Sequence, residues 1–240
     1  MLFDRIFYEI RLMGKQFIAV PVCIMLGGVL LTVVLRLSQT RAIGVLSGCL
    51  EMFLPLVAGI FVTTLCSNDS SLELQLTLPT PYHRTVFCRI GLIAGWTALI
   101  ALISSVIMYS FHLTKVLTFE RAWAPFLQGL IEQLVWLAPL CWFVAIGLFL
   151  ALLFRSRIAS TALLGGIWVS ENIMYGLLIS TPWLHPVFLF TTTLTPVAYL
   201  STYWLSNRYE LLATALVFLL VGWFQLRNTE ALLQKSGSEG

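Results

Sequence analysis

The sequence predicts an all-α membrane protein with six transmembrane helices, on three observations. The chain is 59% hydrophobic and 10% charged, with a mean hydropathy of +0.91, more apolar surface than a water-soluble domain can hide. It contains six apolar runs of roughly the 20 residues that a helix needs to cross a hydrocarbon core. Those runs are continuous, without the alternation that gives a membrane strand one lipid-facing and one lumen-facing side.

The spans are expected at Phe17 to Leu35, Ile43 to Leu65, Ile90 to Phe111, Pro125 to Phe154, Ile158 to Ile179 and Tyr209 to Leu226. The fourth is overlong and carries Pro139 near its middle, which predicts a kink or a strong tilt. Ahead of the first span, Leu2, Phe3, Ile6, Phe7, Ile10 and Met13 share one helical face, while Asp4, Arg11, Lys15 and Gln16 share the other. That pattern describes an amphipathic helix over residues 1–16 lying along the membrane surface, or a basic anchor for the first span. Residues 1–16 are too charged for a secretory signal peptide. Residues 227–240 form a polar tail.

Basic residues set the orientation. With the amino terminus inside, nine lie in the cytoplasm (Arg5, Arg11, Lys15, Arg84, Arg89, Arg155, Arg157, Arg227, Lys235) and five outside (Arg36, Arg41, Lys115, Arg121, Arg208). Both termini are therefore expected to be cytoplasmic. The net charge of +3 comes with no basic patch interleaved with aromatics, so no nucleic-acid partner is expected.

Chemistry-bearing motifs are few. Cys23, Cys49, Cys66, Cys88 and Cys141 lie in or at the ends of spans with no Cys-x-x-Cys pair, and His83, His112 and His185 are isolated, so no metal site is expected. Asn68-Asp69-Ser70 spells a glycosylation acceptor on the side assigned to the cytoplasm, where it would be fortuitous. No nucleophile–base spacing suggests an enzyme. Gly14-Lys15 lacks the preceding glycine of a phosphate loop, so any ATP and its Mg would be bound by another chain.

Between the second and third spans, Ser70 followed by Glu73 forms a capping box, and the Leu78-Pro79 and Thr80-Pro81 steps stop a helix. A two-turn helix over residues 71–77 is framed. Leu72, Leu74, Leu76 and Leu78 also alternate with Glu73, Gln75 and Thr77, as in a half-buried strand. Local pattern supports both.

The second span, the segment "SLELQLTLPTPYHRTVFCRIG" and the third span resemble permease subunits of ATP-binding-cassette exporters of the type-2 permease family. In that family a Leu-Glu pair followed by leucine, proline and basic residues forms a cytoplasmic coupling helix that docks on the ATPase. Leu72, Glu73, Leu76 and Pro79 carry the pattern here, with Leu74 and Leu78 beside them and His83 and Arg84 as the basic continuation. The segment 70–87 is thereby implied to couple to the ATPase, and the amphipathic amino-terminal helix is similar to the family's connecting helix. Ser67-Asn68-Asp69-Ser70 departs from the family's acidic, glycine-containing lead. Residues 180–208, broken by Pro182, Pro186 and Pro196 and studded with Trp183, Phe188, Phe190, Tyr199, Tyr203 and Trp204, resemble the re-entrant extracellular hairpin before the last span. An aromatic belt at the interface has the same composition.

Glu51, Glu132 and Glu171 fall within spans, each roughly 10–12 Å below the outer surface by helical rise, as candidates for the translocation path or as paired structural residues. At least two of them are expected to line one cavity or to meet a basic partner such as Arg41 or Arg121. The resemblance implies a half-permease in a bacterial cytoplasmic membrane, paired with a second copy or a homologue and driven by two cytoplasmic ATPase subunits. The cargo would be hydrophobic or amphipathic. A non-transporting scaffold or immunity protein and a secondary transporter are the rival readings.

The topology is checked by cysteine labelling of intact cells with an impermeant thiol reagent. Cysteines placed beside Arg84, Arg155 or in the tail should stay unlabelled and one beside Arg36 should react; a labelled tail would invert the orientation.

Overall fold

The computed structural model describes residues 14–67, 82–113, 124–195 and 197–238, and every regular element among them is helical. The expected amphipathic helix falls almost wholly outside the described residues. So does the segment with Leu72, Glu73, Leu74, Leu76, Leu78 and Pro79. Five helices are long and apolar enough to cross a bilayer: Lys15–Val34, Gln39–Cys66, His83–Ser110, Phe126–Phe154 and Tyr203–Arg227. The chain is an integral membrane protein.

Helix α1 (Lys15–Val34) starts after Gly14, whose φ of 81° suits glycine, and ends in a tight turn where Arg36 has a φ of 45°. The amides of Arg36 and Leu37 close that turn on Val33 and Thr32 carbonyls. The second span is α2 (Gln39–Gly48), a π turn (Cys49–Phe53) and α3 (Leu54–Ser67) in direct succession. Pro55 supplies a cause for the π turn: it cannot donate to the Glu51 carbonyl four residues back, and its ring crowds that carbonyl. The helix widens instead, and the Leu54 amide bonds to the Cys49 carbonyl, five residues back.

Helix α4 (Tyr82–Ser110) begins eight residues before the expected third span. It closes on the Leu113 amide, bonded to the Met108 carbonyl, around His112 with a φ of 54°. The fourth span is α5 (Pro125–Glu132) and α6 (Leu134–Phe154). The interruption falls at Gln133, six residues before Pro139, where the Gln133 amide bonds to the Leu130 carbonyl and its side chain takes up the Gly129 carbonyl. Helix α6 ends at Arg155, with a φ of 49°, and Ser156 caps the next helix by accepting from the Ala159 amide.

The expected fifth span divides into α7 (Arg157–Ile173) and α8 (Tyr175–Ser180), parted at Met174. The polar run Ser170-Glu171-Asn172 precedes the break. A 3-10 turn (Pro182–Val187), an irregular stretch at 188–190 and the short α9 (Thr191–Leu194) follow. Helix α10 (Val197–Ser238) then runs 42 residues, about 63 Å. The expected last span, Tyr209 to Leu226, is its middle. The last twelve residues of the expected hairpin, 197–208, and most of the expected tail belong to the same helix.

Helix α6 is the axle: it packs most extensively against α3 on one side and α10 on the other. In the spans containing α3 and α6, 67% of the apolar window is buried, against 22% for α1, α4 and α10, which places the latter three at the periphery. The α3–α6 contact is backbone to backbone. A Cβ on Gly59 would lie 2.9 Å from the Phe143 carbonyl oxygen, and one on Gly147 would lie 2.8 Å from the Gly59 carbonyl oxygen. Small residues facing each other in this way let membrane helices approach where no hydrophobic effect drives them together.

Gly59→Ala or Gly147→Ala should therefore push α3 off α6 and cost about 1–3 kcal/mol of stability. Gly166→Ala, where an added Cβ meets nothing within 4 Å, is the control and should be neutral or slightly stabilising. Unfolding of each variant in detergent micelles measures the difference, and equal stabilities would refute the close-packing account.

Candidate functional site

The candidate site is assembled around the non-helical stretch at 188–190 and the turn of α9. Phe188, Leu189, Phe190, Thr191, Thr192 and Thr195 are buried. Phe190 stacks on Phe143 of α6, with ring centroids 6.1 Å apart and planes at 14°. Irregular backbone inside an apolar bundle must find partners for its amides and carbonyls, and the surrounding helices supply them from side chains.

Glu51, on the π turn, is completely buried. Its Oε1 accepts from the Thr192 amide at 3.0 Å, and its Oε2 accepts from the Thr193 amide at 2.6 Å and the Thr193 hydroxyl at 2.5 Å. The Arg208 guanidinium, also completely buried, pairs with Glu51 Oε1 through Nη2. Arg208 additionally donates to the Leu189 carbonyl at 2.8 Å and to Thr192 Oγ1 at 3.0 Å, and lies 5.4 Å from the centre of the Trp204 ring. The Trp204 indole N–H donates to the same Thr192 hydroxyl at 2.9 Å, and Asn207 Nδ2 donates to the Phe188 carbonyl at 3.0 Å. Glu171, near the end of α7, accepts the Leu189 amide on Oε2 at 3.2 Å. Three elements remote in sequence thus hold one short stretch of chain.

Of the three glutamates expected to share a depth, Glu51 and Glu171 reach this stretch. Glu132 does not: it lies on α5, half-buried, where Gln128 Nε2 donates to it at 3.1 Å. Glu51 sits twelve residues into the Gln39–Cys66 span, roughly 18 Å along it, deeper than expected because the helix starts earlier than the apolar run. The expected partners differ too: Arg41 is exposed, Arg121 lies outside the described residues, and the partner of Glu51 is Arg208.

His83 and Arg84, the described end of the expected coupling segment, lie in the first turn of α4. The His83 ring is 5.6 Å from Trp223 of α10, which also meets Phe87 at 5.4 Å, while Arg84 is exposed.

Sequence reasoning missed Arg208, Asn207, Trp204 and the threonines. Arg208 counts as a loop cation only while residues 180–208 are taken as one broken connection. Trp204, Arg208, Leu211, Ala215, Gly222 and Leu226 are buried at helical spacing, so the stripe that marks α10 runs through the arginine itself. Pro55, four residues after Glu51, was the local sign of an altered helix there.

In comparisons with known proteins, no family model, no curated protein and no solved structure matched the chain.

A buried pair that has lost one member leaves an uncompensated charge. Glu51→Gln and Arg208→Met should each cost about 3–5 kcal/mol, and the double variant should be less destabilised than the sum by roughly 0.5–3 kcal/mol. Unfolding of the purified protein measures the cycle; strictly additive losses would show that the pair is not coupled.

Proposed function

We propose that this chain is the permease subunit of an ATP-binding-cassette exporter of the type-2 kind, moving a hydrophobic or amphipathic cargo with energy from ATP hydrolysed by separate cytoplasmic subunits. In this reading α7 and α8 together make the fifth of six crossings and α10 the sixth, residues 181–195 form the re-entrant part of an outward-facing hairpin, and two such chains or a chain and a homologue form the pathway. Both termini face the cytoplasm of a bacterial cell. The single observation that carries the reading is the Leu72, Glu73, Leu76, Pro79 pattern with His83 and Arg84 after it, between two spans.

The fold supplies a route for the motion such a subunit needs. Displacing residues 70–87 moves the first turn of α4, and His83 and Phe87 of that helix rest on Trp223 of α10. Trp223 and Arg208 share α10, fifteen residues apart and roughly 22 Å along its axis. In this reading a displacement passed to Trp223 travels along α10 to the stretch that Arg208 holds. Interrupted helices near the middle of a bundle are a feature that transporters use at their binding sites, which supports a transporting role over a scaffold.

A second reading, a secondary transporter driven by an ion gradient, is favoured by one observation: buried carboxylates beside interrupted helices. It would transport without any ATPase.

Leu74→Asp and Leu76→Asp should release or uncouple the ATPase, since each leucine would lose about 1.5–3 kcal/mol of burial against the partner. Glu73→Ala should do less, about 1 kcal/mol of cap stability. Co-purification of an ATPase, transport and membrane insertion are measured for each variant. Asp variants that insert, keep the ATPase and transport normally would sink the coupling assignment.

A further inference from the structure

The cluster around residues 188–193 contains two buried carboxylates and one guanidinium, and its charges do not balance. Arg208 is committed to Glu51, and it also donates to the Leu189 carbonyl and Thr192 Oγ1. Glu51 has four donors. Glu171 is 3% exposed, yet among the described residues only the Leu189 amide donates to it, on Oε2 at 3.2 Å. A carboxylate inside an apolar bundle is stable only with a positive charge or several donors around it. Where α9 begins, two residues from the Leu189 amide, Thr191 Oγ1 is buried without a partner among the described residues.

We propose that Glu171 is a cation site, holding one proton or one alkali-metal ion against the irregular stretch at 188–190 and the start of α9. The two sources share their chemistry, a single positive charge taken up by a carboxylate oxygen beside non-helical backbone, the setting in which membrane transporters bind coupling ions. Among the described side chains, the charged and titratable groups on the surrounding elements offer no other compensation. Glu51 on the π turn is itself negative and already paired. On α10, Arg208 is engaged, and Glu210 is negative and accepts from Ser206. Glu132 on α5 is a further acid. Arg157 and Tyr175 bracket the site on α7 and α8, fourteen and four residues along the chain from Glu171, and His185 belongs to the 3-10 turn. The site requires neither an ATPase nor a second copy, so it stands or falls separately from the exporter reading.

The test uses the full-length protein in lipid nanodiscs, in a His185→Gln background to remove the histidine's titration. Thermal unfolding of Glu171 and Glu171→Gln proteins is followed in two arms. In the first, pH is raised from neutral into the alkaline range with N-methylglucamine as the only added cation. If a proton is held, the wild-type residue loses stability as pH rises, its unfolding constant growing by up to about tenfold per pH unit, and Glu171→Gln removes that dependence. In the second, Na⁺ or K⁺ replaces N-methylglucamine at fixed pH. If a metal ion is held, a saturating tenfold increase in the ion lowers the unfolding constant by up to about tenfold in the wild type and leaves Glu171→Gln unchanged. Should Glu171→Gln not insert, Glu171→Asp keeps the carboxylate and must retain the dependence on one of the two cations. As a readout free of substitution at Glu171, the infrared spectrum must show either a neutral carboxyl band that disappears with rising pH or a carboxylate band that shifts with Na⁺ or K⁺. A folded Glu171→Gln protein with the same pH and salt response as its parent, or a failed Asp variant together with an infrared spectrum insensitive to both, overturns the proposal.

Discussion

A carboxylate that accepts two main-chain amides, a hydroxyl and a guanidinium at once is what allows a stretch of irregular chain to sit within this bundle. Without Glu51, the amides of Thr192 and Thr193 would face an apolar interior, and Arg208 would be a buried charge with no counter-ion. The other features follow from meeting this demand. The π turn at Cys49–Phe53 carries the carboxylate, the stacked Phe143 and Phe190 fill the space beside it, and α10 begins early enough to bring Trp204, Asn207 and Arg208 to the same place. Polar satisfaction, rather than hydrophobic burial, fixes where these elements meet.

The close approach of α3 and α6 is a different kind of constraint. Gly59 and Gly147 let two backbones approach to a distance at which a side chain on either would clash, so these helices pack directly against each other. Helices α1 and α4, buried along only a fifth of their apolar windows, are attached more loosely to that pair. Movement in the bundle is therefore easiest at its periphery, where His83 and Phe87 of α4 meet Trp223.

Much of the architecture was legible because the bilayer makes length and hydropathy decisive: the central apolar runs of all five long helices can be read directly. Their ends cannot. Tyr82, His83 and Arg84 are polar enough to look like a loop, yet a helix leaving the apolar region loses nothing by continuing through them. Proline did not mark the break in the fourth span: Pro139 sits inside α6, and the interruption falls six residues earlier, at Gln133. At the candidate site, Glu51 and Glu171 stood out as acids in apolar runs. Arg208 did not, because a partner 157 residues away leaves no local trace and only the buried stripe along α10 reveals its side.

That separation also matters while the protein is being made. Translation at about 5–20 residues per second means that roughly 8–31 seconds pass between synthesis of Glu51 and of the arginine 157 residues later that neutralises it. During that interval the second span carries an acid into the membrane with neither its guanidinium nor the threonine amides available, at a cost of a few kcal/mol for the nascent segment. The half-made chain is thus less hydrophobic, in effect, than the finished one, and its second helix has reason to linger at the insertion machinery or the lipid surface. Completion of the last helix is the event that allows the acid to settle. A ribosome that stops short of Arg208 leaves behind a product whose defect is an orphaned charge, a mark that membrane quality control can recognise.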